Sequence, residues 1–279
     1  MEMKDKFIAY LDIIGFGYLV AESRAGRGFS AAEIGVLEKL LGSDGDRLHF
    51  EKDGPRICPQ SRTVRRNLDY QVTQASGFAI HSCEVSPGGA INLVNQAWTA
   101  VTNLLQRGVL CRGYVTRALI HHNGSTVAGG DGGRFSGDDP LAGAFRREAD
   151  RRGTPYVEVD AAVCDYIALE GDAGAVEMFS RLVQRDGIAA GLFPIQRFAH
   201  TFAVRHDFDA AKARASNESQ RRTLNHLRSQ ANSFVDPSNP EAVRKAADYL
   251  ASLDAQLAIC DQTDQMIGVL RRPYPYEGS

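Results

Sequence analysis

The 279-residue chain has no long apolar run and almost no net charge. No stretch approaches the roughly 18 apolar residues that a membrane-spanning helix needs, so we expect no membrane span. The formal net charge is −2, which gives no reason to expect nucleic acid as a partner. The opening Met-Glu-Met-Lys-Asp-Lys mixes acids with bases, so we also expect no signal peptide.

Cysteine is scarce, and its spacing fits neither disulfides nor zinc. The five cysteines are an odd number, lie far apart and form no C-x-x-C pair. They therefore predict reduced thiols in a cytoplasmic protein. The chain also lacks a G-x-x-x-x-G-K-[ST] phosphate loop. Its apolar content of 43% is ordinary for a globular protein with a sizeable core.

The most informative stretch is Phe7-Ile-Ala-Tyr-Leu-Asp-Ile-Ile-Gly-Phe16. It predicts a strand buried on both faces and interrupted by one acid, Asp12. A buried carboxylate needs a cation, which is either a metal ion or an arginine, unless Asp12 simply caps the strand end. Gly15 and Gly17 allow a tight turn whose amides face outward, an arrangement suited to phosphate oxygens. Together these features favour a metal with a phosphorylated ligand.

The elements that follow predict an α+β fold. Their order is strand, helix, hairpin, helix, strand, with the helices at 31–41 and from Asn92 to Gly108, the hairpin at 68–82 around Ser76-Gly77, and the last strand at 109–121. This is the βαββαβ order of ferredoxin-like folds, in which helices cover one face of an antiparallel sheet. In such a sheet, Asp12 should lie beside the hairpin turn.

The rest of the chain is predicted to add further elements to the same domain and then a helical C-terminal extension. We expect a helix at 141–149, a strand at 155–160 and a helix at 161–169, all within one domain of residues 1–205. Residues 206–279 are predicted to form a helical C-terminal extension packed on the core, with a long amphipathic helix at 241–266. Adjacent His121 and His122 point to opposite faces of a strand, so they do not form a metal pair.

This ordered set resembles the class III nucleotidyl cyclases, and most closely the stand-alone bacterial pyrimidine (uridylate/cytidylate) cyclases of phage defence. The resemblance covers roughly residues 6–165. It is carried by the Asp12 strand, the hairpin ending Ala79-Ile-His-Ser82, Ser86-Pro-Gly-Gly-Ala-Ile-Asn-Leu93, Arg112-Gly-Tyr-Val-Thr-Arg117 and the helix Leu141–Glu148.

The resemblance implies a site for a nucleoside triphosphate and two Mg²⁺ or Mn²⁺ ions, formed between the protomers of a homodimer. It makes Asp12 the first metal carboxylate and Arg146 the catalytic arginine that stabilises the transition state. The Ile13 carbonyl would face the second ion. The phosphates would meet the backbone amides of Ile14, Gly15, Phe16 and Gly17.

Three positions depart from the family pattern. The family usually has Ser-Asp at the hairpin turn, and this chain has Ser76-Gly77, so the second metal carboxylate is missing. The helix that carries Arg146 has Ala142 where the family commonly has a ribose-orienting asparagine, and Ala118 stands where a second glycine is usual. Losing one carboxylate from a two-ion site should slow turnover more than it weakens binding.

We therefore expect a cyclase-like protein that binds ATP or a pyrimidine triphosphate with Mg²⁺ or Mn²⁺ and turns it over weakly or not at all. The alternative is an active pyrimidine cyclase that makes cyclic UMP or cyclic CMP as an antiphage second messenger for an effector. In that case a loop acid would supply the second ligand: Asp44, Asp46, Asp131, Asp138 or Asp139. A third interpretation is an interaction protein that uses the fold only as a scaffold.

Overall fold

The structure is a computed structural model that describes residues 2–43, 61–65, 67–123, 126–129, 157–186, 189–192, 209–230 and 235–270. The strands are β1 Lys4–Ile13, β2 Gln71–Ala75, β3 Phe78–Glu84, β4 Cys111–Asn123, β5 Thr126–Gly129, β6 Val157–Val159, β7 Val183–Asp186 and β8 Ala189–Leu192. The helices are α1 Phe16–Arg24, α2 Ala31–Leu41, α3 Pro87–Leu105, α4 Ala161–Glu170, α5 Ala173–Leu182, α6 Ala210–Gln230 and α7 Pro240–Leu270.

The described strands form one sheet in the order β2-β3-β1-β4-β6-β8-β7, and β5 pairs with β4. Strand β1 lies between β3 and β4 and is antiparallel to both. The first four strands with the intervening helices therefore have the βαββαβ ferredoxin-like arrangement predicted from the sequence. Strand β6 joins β4 in parallel and extends the sheet beyond that core.

Strand β1 is buried on both faces, as its unbroken apolar sequence predicts. Phe7, Leu11 and Ile13 belong to the main core with helices α2 and α3. Ile8 and Tyr10 alternate with them and join a smaller apolar cluster on the other face. Asp12 shares that second face, so a carboxylate stands at the edge of a mostly apolar surface.

Helix α2 begins where the sequence predicts. Ser30 caps it, because its hydroxyl accepts from the Glu33 amide and the Glu33 carboxylate accepts from the Ser30 amide. Helix α3 begins earlier than the predicted Asn92, since Ser86 caps it and Pro87 lies in its first turn. A Cβ at Gly89 would stand 2.1 Å from the Glu84 carbonyl oxygen, so this glycine permits close helix–strand packing rather than a chain break.

The described residues from 209 to 270 lie mainly in the helices α6 and α7, as predicted, and these helices contact the sheet layer. Leu224, Leu227, Tyr249 and Leu253 from α6 and α7 share an apolar cluster with residues at the end of α3 and before β4. The proposed boundary at 205/206 lies outside the described residues. Helix α5 and strands β7 and β8 have no counterpart in the sequence prediction. Among the helices that the structure describes, none combines the length and apolar character needed to cross a membrane.

Candidate functional site

Asp12 lies beside the hairpin turn, as the strand order predicts. It is the register partner of Phe78 on β3 and of Arg112 on β4. The Ile13 amide donates to the Gly77 carbonyl at 2.8 Å, which ties the end of β1 directly to the turn. The acid and the hairpin turn at Ser76-Gly77 are therefore brought together.

The Asp12 carboxylate is paired with an arginine. Both Nε and Nη2 of Arg112 donate to Asp12 Oδ2, each at 3.1 Å. The two side chains are only 24% and 21% exposed, so this charge-assisted contact is partly shielded from water. An arginine was one of the two cations that the sequence analysis considered for Asp12, and the structure places Arg112 there. Sequence reasoning did not single out Arg112 as this partner, because the pairing depends on the antiparallel register of β1 and β4.

The turn after β1 leads straight into helix α1. Gly15 occupies the N-cap position of this helix, and its backbone has the left-handed conformation (φ 73°, ψ 22°) that glycine adopts readily. Because glycine has no side chain, the helix start has no side-chain cap. The first intrahelical bond runs from the Leu19 amide to the Gly15 carbonyl, so the amides of Phe16 and Gly17 have no partner within the helix. The Ile14 amide donates to the Leu110 carbonyl at 2.9 Å, and its role as a phosphate donor stays a prediction.

Gly77 is required by its surroundings. It has a φ of +79°, and a Cβ there would stand 2.6 Å from Cγ of the Phe16 ring. An aspartate at this position would have to adopt a left-handed conformation and displace a ring close to its attachment point. The glycine at this position therefore fits the packing of Phe16 against the turn, a contact that the sequence pattern does not reveal.

The described residues contain no cluster of side chains that would hold a metal ion without a further ligand. Among them, no group of three or more histidine, cysteine, aspartate or glutamate side chains is placed to hold a metal ion. Asp160, near this face, instead caps α4 and accepts from the Tyr114 hydroxyl at 2.7 Å. His122 contacts the hydroxyls of Thr73 and Ser82 through its two ring nitrogens, and His121 contacts the Glu2 carbonyl, so these histidines have separate partners.

Several predicted site residues lie outside the described part of the chain. These are Arg146, with the helix predicted around it, and the five loop acids considered as replacement metal ligands: Asp44, Asp46, Asp131, Asp138 and Asp139. The catalytic role of Arg146 stays a prediction. The site as described therefore consists of Asp12, Arg112, the hairpin turn and the start of α1.

The C-terminal helix α7 contacts two of the segments that form this site, the end of β1 and the start of β4. The Tyr249 hydroxyl on α7 donates to the carbonyl of Cys111, the residue before Arg112. Ile14 packs against the same apolar cluster as Tyr249. A cavity of about 40 Å³, lined by residues that include Gly15, Tyr18, Asp236 and Asn239, separates the turn from the start of α7. Long-range contacts of this kind have no local sequence signal, so Tyr249 was not anticipated.

Comparison with known proteins finds similarity only to solved structures. No protein-family model and no curated protein matches the sequence. One structure of a bacterial light-regulated adenylyl cyclase matches with 13% identity and a TM-score of 0.38, over 71% of this chain and 94% of that chain. A second such structure matches with 11% identity and a TM-score of 0.40, over 84% of this chain and 58% of that chain. The chain is thus similar to these cyclases at a low level, and its fold assignment rests on its own strand order.

Proposed function

We propose that this protein is a nucleotidyl cyclase-like protein that binds a nucleoside triphosphate and cyclises it weakly or not at all. The observation that carries the proposal is Gly77, whose left-handed backbone and contact with Phe16 leave no room for the second metal carboxylate. The retained features are Asp12 at the end of the central strand and the turn from Gly15 to Gly17 that follows it.

Phosphate binding is assigned to the start of α1. Amides at a helix N-terminus carry partial positive charge and suit phosphate oxygens. In the proposed complex, Phe16 and Gly17 donate to the triphosphate, and Gly15 gives the backbone its direction. Mg²⁺ or Mn²⁺ is expected to enter with the triphosphate that it complexes, with Asp12 as the carboxylate that would hold it.

The proposal includes a homodimer in the cytoplasm, on the basis of the family resemblance. Sedimentation of the purified chain tests the oligomeric state directly. A mass near twice the chain's 30.4 kDa is expected, and a monomer at every accessible concentration would overturn this part.

Calorimetric titration with ATP, GTP, CTP and UTP in Mn²⁺, followed by mass spectrometry of each mixture, tests the proposed function. We expect heat of binding for at least one triphosphate with little or no cyclic product. Robust cyclic UMP or cyclic CMP would overturn the assignment of weak turnover and establish the active pyrimidine cyclase. Absence of binding, with no rise in melting temperature, would overturn nucleotide binding and favour a scaffold for protein interactions.

A matched pair of variants tests the turn itself. Gly17→Pro removes one amide donor at a position in the first helical turn, where proline is tolerated, whereas Gly17→Ala keeps the donor. A Cβ at Gly17 meets nothing within 4 Å, so alanine should fit. We expect Gly17→Pro to weaken triphosphate binding by about tenfold and Gly17→Ala to leave it unchanged. Equal affinities in two folded variants would place the phosphates elsewhere.

A further inference from the structure

A polar cavity lies at the opposite end of β1 from Asp12. Its volume is about 270 Å³. It is lined by the N-terminal residues, the segment before β2 and the end of β4, and the polar lining includes Glu2, Lys4, Lys6, Asp69, His121 and Asn123. Lys6 and Asp12 lie on one strand and are about 20 Å apart at the usual rise per residue, so this cavity is separate from the turn at Gly15.

Lys6 is a buried cation in the wall of this cavity. Its side chain is only 3% exposed, and its ammonium contacts Asp69 Oδ2 at 2.9 Å. An ammonium carries three donors, and lysine is seldom buried unless it is paired. Within the part of the chain that the structure describes, Asp69 is the one partner of this ammonium. Lys6 therefore retains donors for the acceptor atoms of a ligand.

Asp69 is a fixed anion beside this cation. Its amide donates to Glu84 Oε2 at 3.2 Å, which holds the backbone in place. Burial acts to raise the pKa of the Asp69 carboxyl, but Lys6 together with Gln71 and Lys4 outweighs burial, so the pKa lies below its ordinary value. The carboxyl group is thus ionised at neutral pH, and the cavity presents both signs of charge.

The charges of the lining select the class of ligand. Among the described residues, the cavity has two lysines and two acids in its wall: Lys4, Lys6, Glu2 and Asp69. The acids would oppose an anion such as phosphate, and the lysines would oppose a polyamine. Ile120 is the one aliphatic residue among the described lining residues, so an apolar ligand would gain little from burial. A small molecule that carries both charges satisfies both kinds of group.

We propose that this cavity binds a small zwitterion of the free α-amino acid class. The ligand carboxylate accepts from Lys6 and Lys4, and the ligand ammonium donates to Asp69 and Glu2. At about 30 Å³ for each water molecule, the cavity has room for roughly nine waters, a size that suits one amino acid. This site goes beyond the proposed function, since it requires neither the nucleotide nor the metal ion.

The experiment titrates the purified full chain with each of the twenty standard amino acids, by calorimetry and by proton NMR of the histidine rings. We expect at least one amino acid to bind and to shift the ring signals of His121 and His122, which line the cavity, but not the signal of His226, which is exposed on α6. The N-acetyl and amide forms of that amino acid each lack one charge and should bind at least about tenfold more weakly. No binding by any of the twenty at millimolar concentration would overturn the proposal, and so would tighter binding of phosphate or putrescine.

Lysine variants locate the ligand in the cavity. Lys6→Met removes the buried ammonium and should weaken amino acid binding by about tenfold or more. Lys39→Met, at an exposed position on α2, is the matched control and should have no effect. If Lys6→Met does not fold, Lys4→Met at the exposed rim decides, with an expected loss of about threefold or more. Full affinity in the folded cavity variants would overturn the proposal.

A competition experiment separates this proposal from the proposed function. Saturating triphosphate in Mn²⁺ should leave the amino acid able to bind, because the two sites are far apart on β1. Mutual exclusion would place the amino acid at the turn and overturn this inference, while the proposed function would stand. Amino acid binding in a chain that binds no triphosphate would overturn the proposed function and leave this inference intact.

Discussion

At the scale of single residues, the backbone and surroundings of Gly77 oppose a side chain in the turn beside Asp12. A glycine in place of an acid can be noticed in the sequence, but the reason for it lies in a contact with Phe16, which is distant in the chain. The backbone conformation and the ring together oppose any side chain at this position. Restoring the missing acid should therefore disturb the turn before it can create a metal site.

We predict that Gly77→Asp lowers the free energy of unfolding by about 2–4 kcal/mol, because it combines left-handed strain with overpacking against Phe16. Ser76→Asp is the control, since Ser76 lies in the same turn and its side chain is already exposed to solvent. Denaturant unfolding of both variants beside the unmodified protein measures the difference. Equal stabilities would show that the turn accommodates an acid.

At the same scale, the sequence predicted part of the site. The position of Asp12 beside the hairpin turn follows from the strand order, and the structure confirms it. The partner of Asp12 could not be predicted, because a local pattern does not reveal which residue of β4 faces β1. The acceptor of the Ile14 amide could not be predicted for the same reason, since it is the carbonyl of Leu110, nearly a hundred positions away.

At the scale of elements, strong periodic segments were predicted well and short ones were not. The order of β1 through β4 and the cap of α2 follow from apolar patterning and capping residues. The start of α3 was misplaced because Pro87-Gly88-Gly89 normally indicates a break. The strands β7 and β8 have four residues each, too few for a periodic signal, and their pairing comes from tertiary context.

The contact between α7 and β4 is an element-scale feature that mutation can test. Tyr249 is fully buried, and its hydroxyl donates to the Cys111 carbonyl beside Arg112. We predict that Tyr249→Phe lowers the free energy of unfolding by about 1–2 kcal/mol through loss of this hydrogen bond. It should also weaken triphosphate binding, because the end of β4 that pairs with Asp12 and Ile13 is then held less firmly.

A second tyrosine serves as the comparison. The Tyr166 hydroxyl makes a longer contact of 3.4 Å with the Val85 carbonyl in a partly buried position, so Tyr166→Phe should cost less. Denaturant unfolding and calorimetry on both variants provide the measurements. If Tyr249→Phe matched Tyr166→Phe in both stability and affinity, α7 would have no special role behind the site.

At the scale of the whole molecule, the second face of the sheet carries a buried histidine that links stability to pH. His122 is 7% exposed, with its ring nitrogens bonded to Thr73 and Ser82. Burial lowers the pKa of His122 from 6.5 to about 4. Nearby Lys6, His81 and His121 also lower this pKa, whereas Asp69 opposes them.

The direction of the pH effect follows from proton binding in the two states. Between pH 6.5 and about 4, the unfolded chain protonates His122 and the folded chain does not, so folding loses stability as the pH falls through this window. Above pH 6.5, the contribution is complete and constant. The loss from this group should reach about 3 kcal/mol at its largest.

His122→Gln tests this link because glutamine keeps hydrogen-bonding capacity without titrating in the window. We expect the unmodified chain to lose stability more steeply than the variant as the pH falls from 6.5 to 4 in denaturant unfolding experiments. His226→Gln is the control, because that histidine is exposed on α6 and is not among the groups that act on the pKa of His122. Parallel curves for the unmodified chain and His122→Gln would mean that the acid sensitivity arises from other groups, and the buried imidazole would then have no measurable role in the stability of the molecule.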